Sequence, residues 1–204
     1  AQKIGQMTQA EIKTITPEQV RRYYIGSVLN GGGSWPGMDK HASVQDWLKL
    51  ADAYHAASLA TDARTPVPVI WGTDAVHGHN NVLGATLFPH NIGLGAAGDP
   101  ELIERIGEAT ARSVRATGIG WVFAPTLAVA HDPRWGRTYE SYSSDPAVIR
   151  SFAHAYVKGA QGAFKDDGNV VTTAKHYLGD GATDSGRDQG EALVDKATMF
   201  NVHA

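Results

Sequence analysis

The sequence predicts an α/β protein built on a parallel sheet, on the strength of two observations. Short apolar runs alternate along the 204-residue chain with longer segments of helical periodicity. The apolar runs are unbroken by polar residues, which is typical of strands that are buried on both faces of a parallel sheet. The chain contains no low-complexity segment or charged linker, so we expect residues 1–204 to belong to one domain.

Strands and helices are predicted to alternate in chain order. The first strand is 26–33 (GSVLNGGG), and the helix 43–63 follows, with Ser43 as its N-cap. The strand 66–72 precedes the helix 99–118, which begins with an Asp-Pro pair and has apolar residues along one face. The strand 119–125 precedes a second Asp-Pro helix at 145–164, and the strand 169–176 follows it.

Two architectures fit this alternation, an open doubly wound sheet and a (β/α) barrel. A barrel needs eight strands and typically about 250 residues. With about four strands in its 204 residues, the chain would form roughly the first half of a barrel.

Composition excludes several classes of function. The net charge of −3 and the lack of any Lys/Arg block argue against a nucleic-acid partner. The chain has no cysteine, which excludes disulfides and thiolate chemistry. No apolar run approaches the ~18 residues of a membrane span, so no membrane partner is expected. The first residues do not resemble a signal peptide, although a cleaved one is compatible with the sequence.

Polar and charged residues cluster directly after three of the predicted strands, where parallel α/β folds build their sites. The clusters are Asp74, His77 and His79; His131, Asp132, Arg134, Trp135, Arg137 and Glu140; and Lys175, His176 and Asp180. Each cluster also has a purely structural interpretation. Asp74 fits a loop cap, the histidines fit ordinary loop residues, and PRWGR (133–137) fits a turn with a packed tryptophan.

Taken together, the clusters suit a sugar ligand. Carboxylates accept hydrogen bonds from pairs of hydroxyls, Lys, Arg and His donate to hydroxyl oxygens, and aromatic rings cover the C–H face of a sugar ring. Trp35, Trp71 and Trp135 are candidates for such a platform, whereas Trp47 and Trp121 are expected in the core. The triple glycine 31–33 lacks the dinucleotide and P-loop patterns and is interpreted as a loop for close backbone approach.

The chain resembles family 3 of the glycoside hydrolases, in particular its β-glucosidases and β-glucan exohydrolases. The resemblance covers almost the whole chain. Five stretches match: KIGQM (3–7), GSVLNGGG (26–33), GTDAVHGHNNVLGATLFPHNIGLGA (72–96), FAPTLAVAHDPRWGRTYESYSSDP (123–146) and AKHYLGDGATDSGRDQG (174–190), and the last three of them are the most specific.

This resemblance implies a (β/α)8 TIM-type barrel that hydrolyses terminal non-reducing β-D-glucosyl residues with retention. Asp74, Arg137, Lys175 and His176 would hold the terminal sugar of a β-glucoside or β-glucan, with no cofactor and no metal. Arg134, Glu140, Asp180 and Trp135 would support them. The resemblance also suggests non-proline cis peptides within 175–178.

The sequence departs from the family pattern in one respect. No segment matches the motif that carries the family's nucleophilic aspartate, and in that family the acid/base glutamate comes from a later domain. The later strands of the barrel and the second domain are therefore expected partners of these 204 residues, which would be inactive alone. The resemblance favours a periplasmic or extracellular bacterial protein.

Two other functions remain open. One is a sugar-binding fragment that binds glucose without turnover. The other is a metal-dependent amidohydrolase, because those barrels also use an H-x-H motif and a lysine at the fourth strand, and this chain has His77, His79 and Lys175.

Overall fold

The computed structural model describes residues 1–164 and 167–204, and these residues form a five-stranded sheet flanked by helices. The strands are β1 (Gln9–Glu11), β2 (Ser27–Asn30), β3 (Ile70–Thr73), β4 (Trp121–Val122) and β5 (Val171–Thr172). The helices are α1 (Gln2–Gln6), α2 (Pro17–Tyr23), α3 (Val44–Leu59), α4 (Asn91–Ala97), α5 (Pro100–Arg115), α6 (Pro146–Gln161) and α7 (Lys196–Thr198).

Every neighbouring pair of strands is parallel, and the spatial order β1-β2-β3-β4-β5 follows the chain without reversal. A doubly wound sheet reverses its strand order at a switch point. A consecutive order is the arrangement of a sheet that curls toward a barrel. The structure therefore favours the barrel over the doubly wound alternative.

The three long helices begin where the sequence predicts, because their caps are local. Ser43 and Asp46 form a reciprocal capping box at α3. The Asp99 and Asp145 side chains accept hydrogen bonds from the first turns of α5 and α6, each with proline at the first helical position. The helices α5 and α6 pack closely at Gly159, where an added Cβ would lie 1.9 Å from the Glu104 carbonyl oxygen.

The strands are shorter than predicted, and the sequence does not predict β1. The strand β1 lacks an apolar run, and it is a strand because Gln9–Glu11 pairs in register with Ser27–Leu29. The polar residues at the predicted strand ends belong to the loops that follow β3, β4 and β5.

The two faces of the sheet have different surroundings. Val28, Trp71 and Val122 project toward the helices and are buried, and the Trp71 ring contacts Trp47 and Tyr54 of α3. On the opposite face, Ile70 and Val171 are each 38% exposed. In a closed barrel that second face lines the interior, so the described strands leave part of it uncovered.

Candidate functional site

The candidate site lies at the carboxyl ends of β3, β4 and β5, and its first element is an ion pair between distant residues. Asp74 directly follows β3, and its Oδ1 accepts a hydrogen bond from Lys175 Nζ at 3.0 Å. The Lys175 side chain is only 13% exposed, whereas Asp74 is 36% exposed and open to solvent. Asp74 thus neutralises the mostly buried ammonium group of Lys175, and its carboxylate can still accept hydrogen bonds from a ligand on the solvent side.

A second charged pair comes from the short 3₁₀ turn Thr138–Glu140, which follows β4. Arg137 donates from Nε to Glu140 Oε1 at 2.6 Å and from Nη2 to Glu140 Oε2 at 2.9 Å. This two-point contact holds the guanidinium plane in a single orientation. Thr126 Oγ1 lies 3.5 Å from Glu140 Oε2 on the buried side.

The pKa directions of this pair agree with an ionised contact. Burial by itself would raise the pKa of Glu140, but the hydrogen bonds and charge of Arg137, with the charge of Lys175, lower it. The hydrogen bonds from Arg137 to Glu140 raise the pKa of the guanidinium. Both groups therefore stay charged across the physiological range.

His176 joins the second pair to the segment after β5. Its Nε2 lies 3.0 Å from Arg137 Nη2, and its Nδ1 lies 2.7 Å from Asp180 Oδ2. The peptides Lys175–His176 and Tyr177–Leu178 are both cis, as the family resemblance suggests. The structure thus places Asp74 with Lys175, and Arg137 with Glu140, His176 and Asp180, at one end of the sheet.

Two other predicted residues lie apart from this group. Arg134 pairs with Asp132 at 2.6 Å, and its side chain is 71% exposed. Trp135 is 2% exposed, and its Nε1 donates to Asp188 Oδ1, so its ring packs inside the loop.

The prediction of a sugar platform is wrong for Trp135 and for Trp71, because both rings are buried. Trp35 is partly buried against the core. Trp121, expected in the core, is also only partly buried and packs edge-on against Phe123.

The two histidines after β3 face different surroundings. His77 Nε2 lies 2.8 Å from His90 Nδ1, and burial and the His90 charge lower the pKa of His77. His79 is buried and contacts Thr117, and burial lowers its pKa to about 4. They do not converge as an H-x-H metal site would require, and no group of three or more potential metal ligands occurs among the described residues.

Sequence analysis did not single out His90 or Thr126. His90 lies thirteen residues beyond its partner His77, and Thr126 lies fourteen residues before Glu140. Neither separation forms a motif, although both residues fall within stretches that resemble the family.

The site is open to solvent at Asp74. A cavity of about 250 Å³ lies beside it, between α6, the segment 175–180 and the residues 202–204. Lys175, His176 and Asp180 form one wall of this cavity, but Asp74 and Arg137 do not line it.

No helix in the described part of the chain is long and apolar enough to cross a bilayer.

Comparison with known proteins gives consistent likenesses along the whole chain. The sequence model of the glycosyl hydrolase family 3 N-terminal domain matches residues 1–204. A lysosomal beta glucosidase of Dictyostelium discoideum is 37% identical over 213 residues, covering 95% of this chain and 26% of the relative.

Solved structures show the same similarity. The exo-1,3/1,4-beta-glucanase of a Pseudoalteromonas species is 52% identical with a TM-score of 0.94, over 99% of this chain and 26% of that one. A beta-glucosidase from Listeria innocua in complex with isofagomine is 25% identical with a TM-score of 0.78, over 99% of this chain and 27% of that one. The chain thus spans about a quarter of the length of these relatives, and the predicted fold class, an α/β barrel of the TIM type, is confirmed.

Proposed function

Because the chain belongs to glycosyl hydrolase family 3, we propose that it forms the glycone-binding part of a β-glucosidase or exo-β-glucanase. The reaction is the retaining hydrolysis of terminal non-reducing β-D-glucosyl residues from β-glucosides or β-glucans. One observation carries the proposal: polar and charged side chains from three separate strand ends meet at one end of the sheet, namely Asp74, Arg137, Lys175 and His176. The names of the relatives support the same substrate class.

The four residues have distinct roles in this proposal. The Asp74 carboxylate accepts from two sugar hydroxyls, and Lys175 donates to a hydroxyl oxygen while it neutralises Asp74. Asp74 is assigned to binding and not to nucleophilic attack, because Lys175 already pairs with Oδ1 at 3.0 Å. Arg137 donates from Nη1 to a sugar hydroxyl oxygen, and His176 lies beside Arg137 at the edge of the sugar site.

The catalytic carboxylates are assigned outside residues 1–204. Retaining glycosidases need a nucleophilic carboxylate and an acid/base carboxyl group about 5 to 5.5 Å apart. We propose that the later strands of the barrel and a second domain supply them. Residues 1–204 alone would then bind glucose without turning over a glucoside.

The proposed compartment lies outside the cytoplasm of a bacterium. Relatives from Salmonella typhimurium and Dickeya chrysanthemi are named as periplasmic beta-glucosidases, and the Dictyostelium relative is lysosomal. A periplasmic or extracellular location suits an enzyme that meets β-glucans.

The experiment is an activity assay on the active full-length protein that contains this chain. We expect release of 4-nitrophenol from 4-nitrophenyl β-D-glucoside and of glucose from laminaribiose, with the β-anomer of glucose appearing first by proton NMR. The matched control is 4-nitrophenyl α-D-glucoside, which should not be cleaved. An α-anomer as first product would contradict the retaining mechanism, and no cleavage of either β-substrate would contradict the function.

A further inference from the structure

The contact between His176 and Asp180 is unusual because both atoms are buried. Asp180 Oδ2 and His176 Nδ1 are shielded from solvent, and neither forms a regular hydrogen bond among residues 1–164 and 167–204. They lie 2.7 Å apart, which is ion-pair distance, in an orientation that falls outside hydrogen-bond geometry. Since buried polar atoms are nearly always paired, each is the partner that the other requires. An ionised carboxylate only accepts hydrogen bonds, so the proton of this contact lies on Nδ1.

The other ring nitrogen faces a group that only donates. His176 Nε2 lies 3.0 Å from Arg137 Nη2, and a guanidinium has no acceptor atom. The Nε2 atom therefore presents its lone pair, and the ring carries a single proton. A proton on Nε2 would set two N–H groups against each other at this distance and leave the Arg137 donor without an acceptor.

The arrangement also accounts for the donors of Arg137. Three of its five N–H groups are used, with Nε–H and one Nη2–H on Glu140 and the second Nη2–H on His176. The two N–H groups of Nη1 have no partner in the described part of the chain. They form the edge of the guanidinium that remains for a ligand.

We propose that Asp180 is a positioning residue that holds His176 as the neutral Nδ1–H tautomer, so that Nε2 accepts from Arg137 and Nη1 is presented to the sugar. The inference about the sugar rests on the proposed function, whereas the tautomer stands on the contacts alone. Tautomer choice in a histidine is set by the groups that face its two ring nitrogens, and the Asp180 carboxylate faces Nδ1 at 2.7 Å. Asp180 acts through His176 and Arg137 and does not itself contact the substrate.

The direct test is ¹H–¹⁵N NMR of the full-length protein labelled with [¹⁵N]histidine, without substrate at neutral pH. The His176 signals are assigned by their loss in a His176→Gln variant. We expect the pattern of a neutral ring protonated at Nδ1. In Asp180→Asn we expect loss of that pattern, because the amide both donates and accepts, and in Asp180→Glu we expect the retained carboxylate to preserve it.

Activity is the second measurement, with kcat/KM for 4-nitrophenyl β-D-glucoside. Asp180→Asn should lower it roughly tenfold or more, in line with the loss of a hydrogen bond to a charged group. The matched control is Glu108→Gln, which neutralises a carboxylate paired with Arg112 on the exposed surface of α5 and should leave kcat/KM unchanged.

Two results would overturn the inference. One is a wild-type His176 protonated at Nε2 or at both nitrogens, and the other is an Asp180→Asn variant with wild-type spectrum and kcat/KM within about threefold. Absence of any turnover in the wild-type protein would contradict the proposed function instead. It would leave the tautomer measurement valid, because that measurement needs no substrate.

Discussion

Replacing Asp74 by alanine removes a carboxylate from the site while the backbone around it stays held. The Asp74 N–H donates to the Asn30 carbonyl at 3.2 Å, and its carbonyl accepts from Asn81 Nδ2 at 2.9 Å. Neither bond involves the carboxylate. Asp74→Ala therefore tests the side chain with little disturbance of the loop that follows β3.

The expected magnitude follows from the contacts that the carboxylate makes and would make. Lys175, with 13% of its side chain exposed, loses its ionic partner, and two sugar hydroxyls lose a charged acceptor. Hydrogen bonds to charged groups contribute about 1.5 to 3 kcal/mol each. Asp74 is 36% exposed, so solvent weakens these hydrogen bonds, and we take the lower end of that energy range for each hydroxyl. The sum is about 3 kcal/mol of transition-state binding, a loss of roughly 100-fold or more in kcat/KM.

The assay is hydrolysis of 4-nitrophenyl β-D-glucoside by the full-length protein, with the melting temperature measured in parallel. Glu108→Gln, with its exposed partner Arg112, serves as the carboxylate control and should change neither quantity appreciably. A loss of less than about threefold in kcat/KM for Asp74→Ala would refute the reasoning. It would mean that Asp74 only terminates a loop.

Three further predictions follow from other features of the structure. His79 has a pKa near 4 when folded against 6.5 when free, so the unfolded chain binds more protons between these values, and the free energy of unfolding should fall by up to about 3 kcal/mol as pH drops through that window. Urea titrations should show this dependence flattened in His79→Gln; an unchanged slope would contradict the assignment. Glu140→Gln should lower kcat/KM about tenfold and reduce stability by roughly 1 to 3 kcal/mol, because Arg137 loses a buried partner, and thermal melting with steady-state kinetics would detect both. Residues 1–204 alone should self-associate in sedimentation experiments. Ile70 and Val171 are exposed on the uncovered face of the sheet, and no strand of the described residues pairs with the outer edges of β1 and β5; a compact monomer that melts cooperatively would disprove this.

Features that depend on neighbouring residues could be predicted from the sequence. The helices α3, α5 and α6 begin at Ser43, Asp99 and Asp145 because a cap satisfies N–H groups only two or three residues away. The positions of Asp74 and Lys175 after apolar runs also followed from the chain alone. The family resemblance favoured the barrel over the doubly wound sheet, which the alternation of strands and helices had left open.

Features that depend on pairing across the chain could not be predicted in the same way. The strand β1 exists because Gln9–Glu11 meets β2 in register, although nothing in its own composition is typical of a strand. From the sequence, Trp71 and Trp135 were equally suited to stack against a sugar ring. The sheet register turns Trp71 toward α3, and the packing of its loop buries Trp135.

The sequence by itself determined which chemical groups this chain carries and at which strand ends they lie. Only the tertiary structure decided which of those groups touch, because the contact between Lys175 and Asp74 joins residues 101 positions apart, and that between Arg137 and His176 joins residues 39 apart. The parallel order of the strands brings these loops to one end of the sheet. A hydrogen bond forms only within a narrow range of distances and angles, so small differences in position decide which of these side chains pair. The spacing of residues in the sequence does not contain that information.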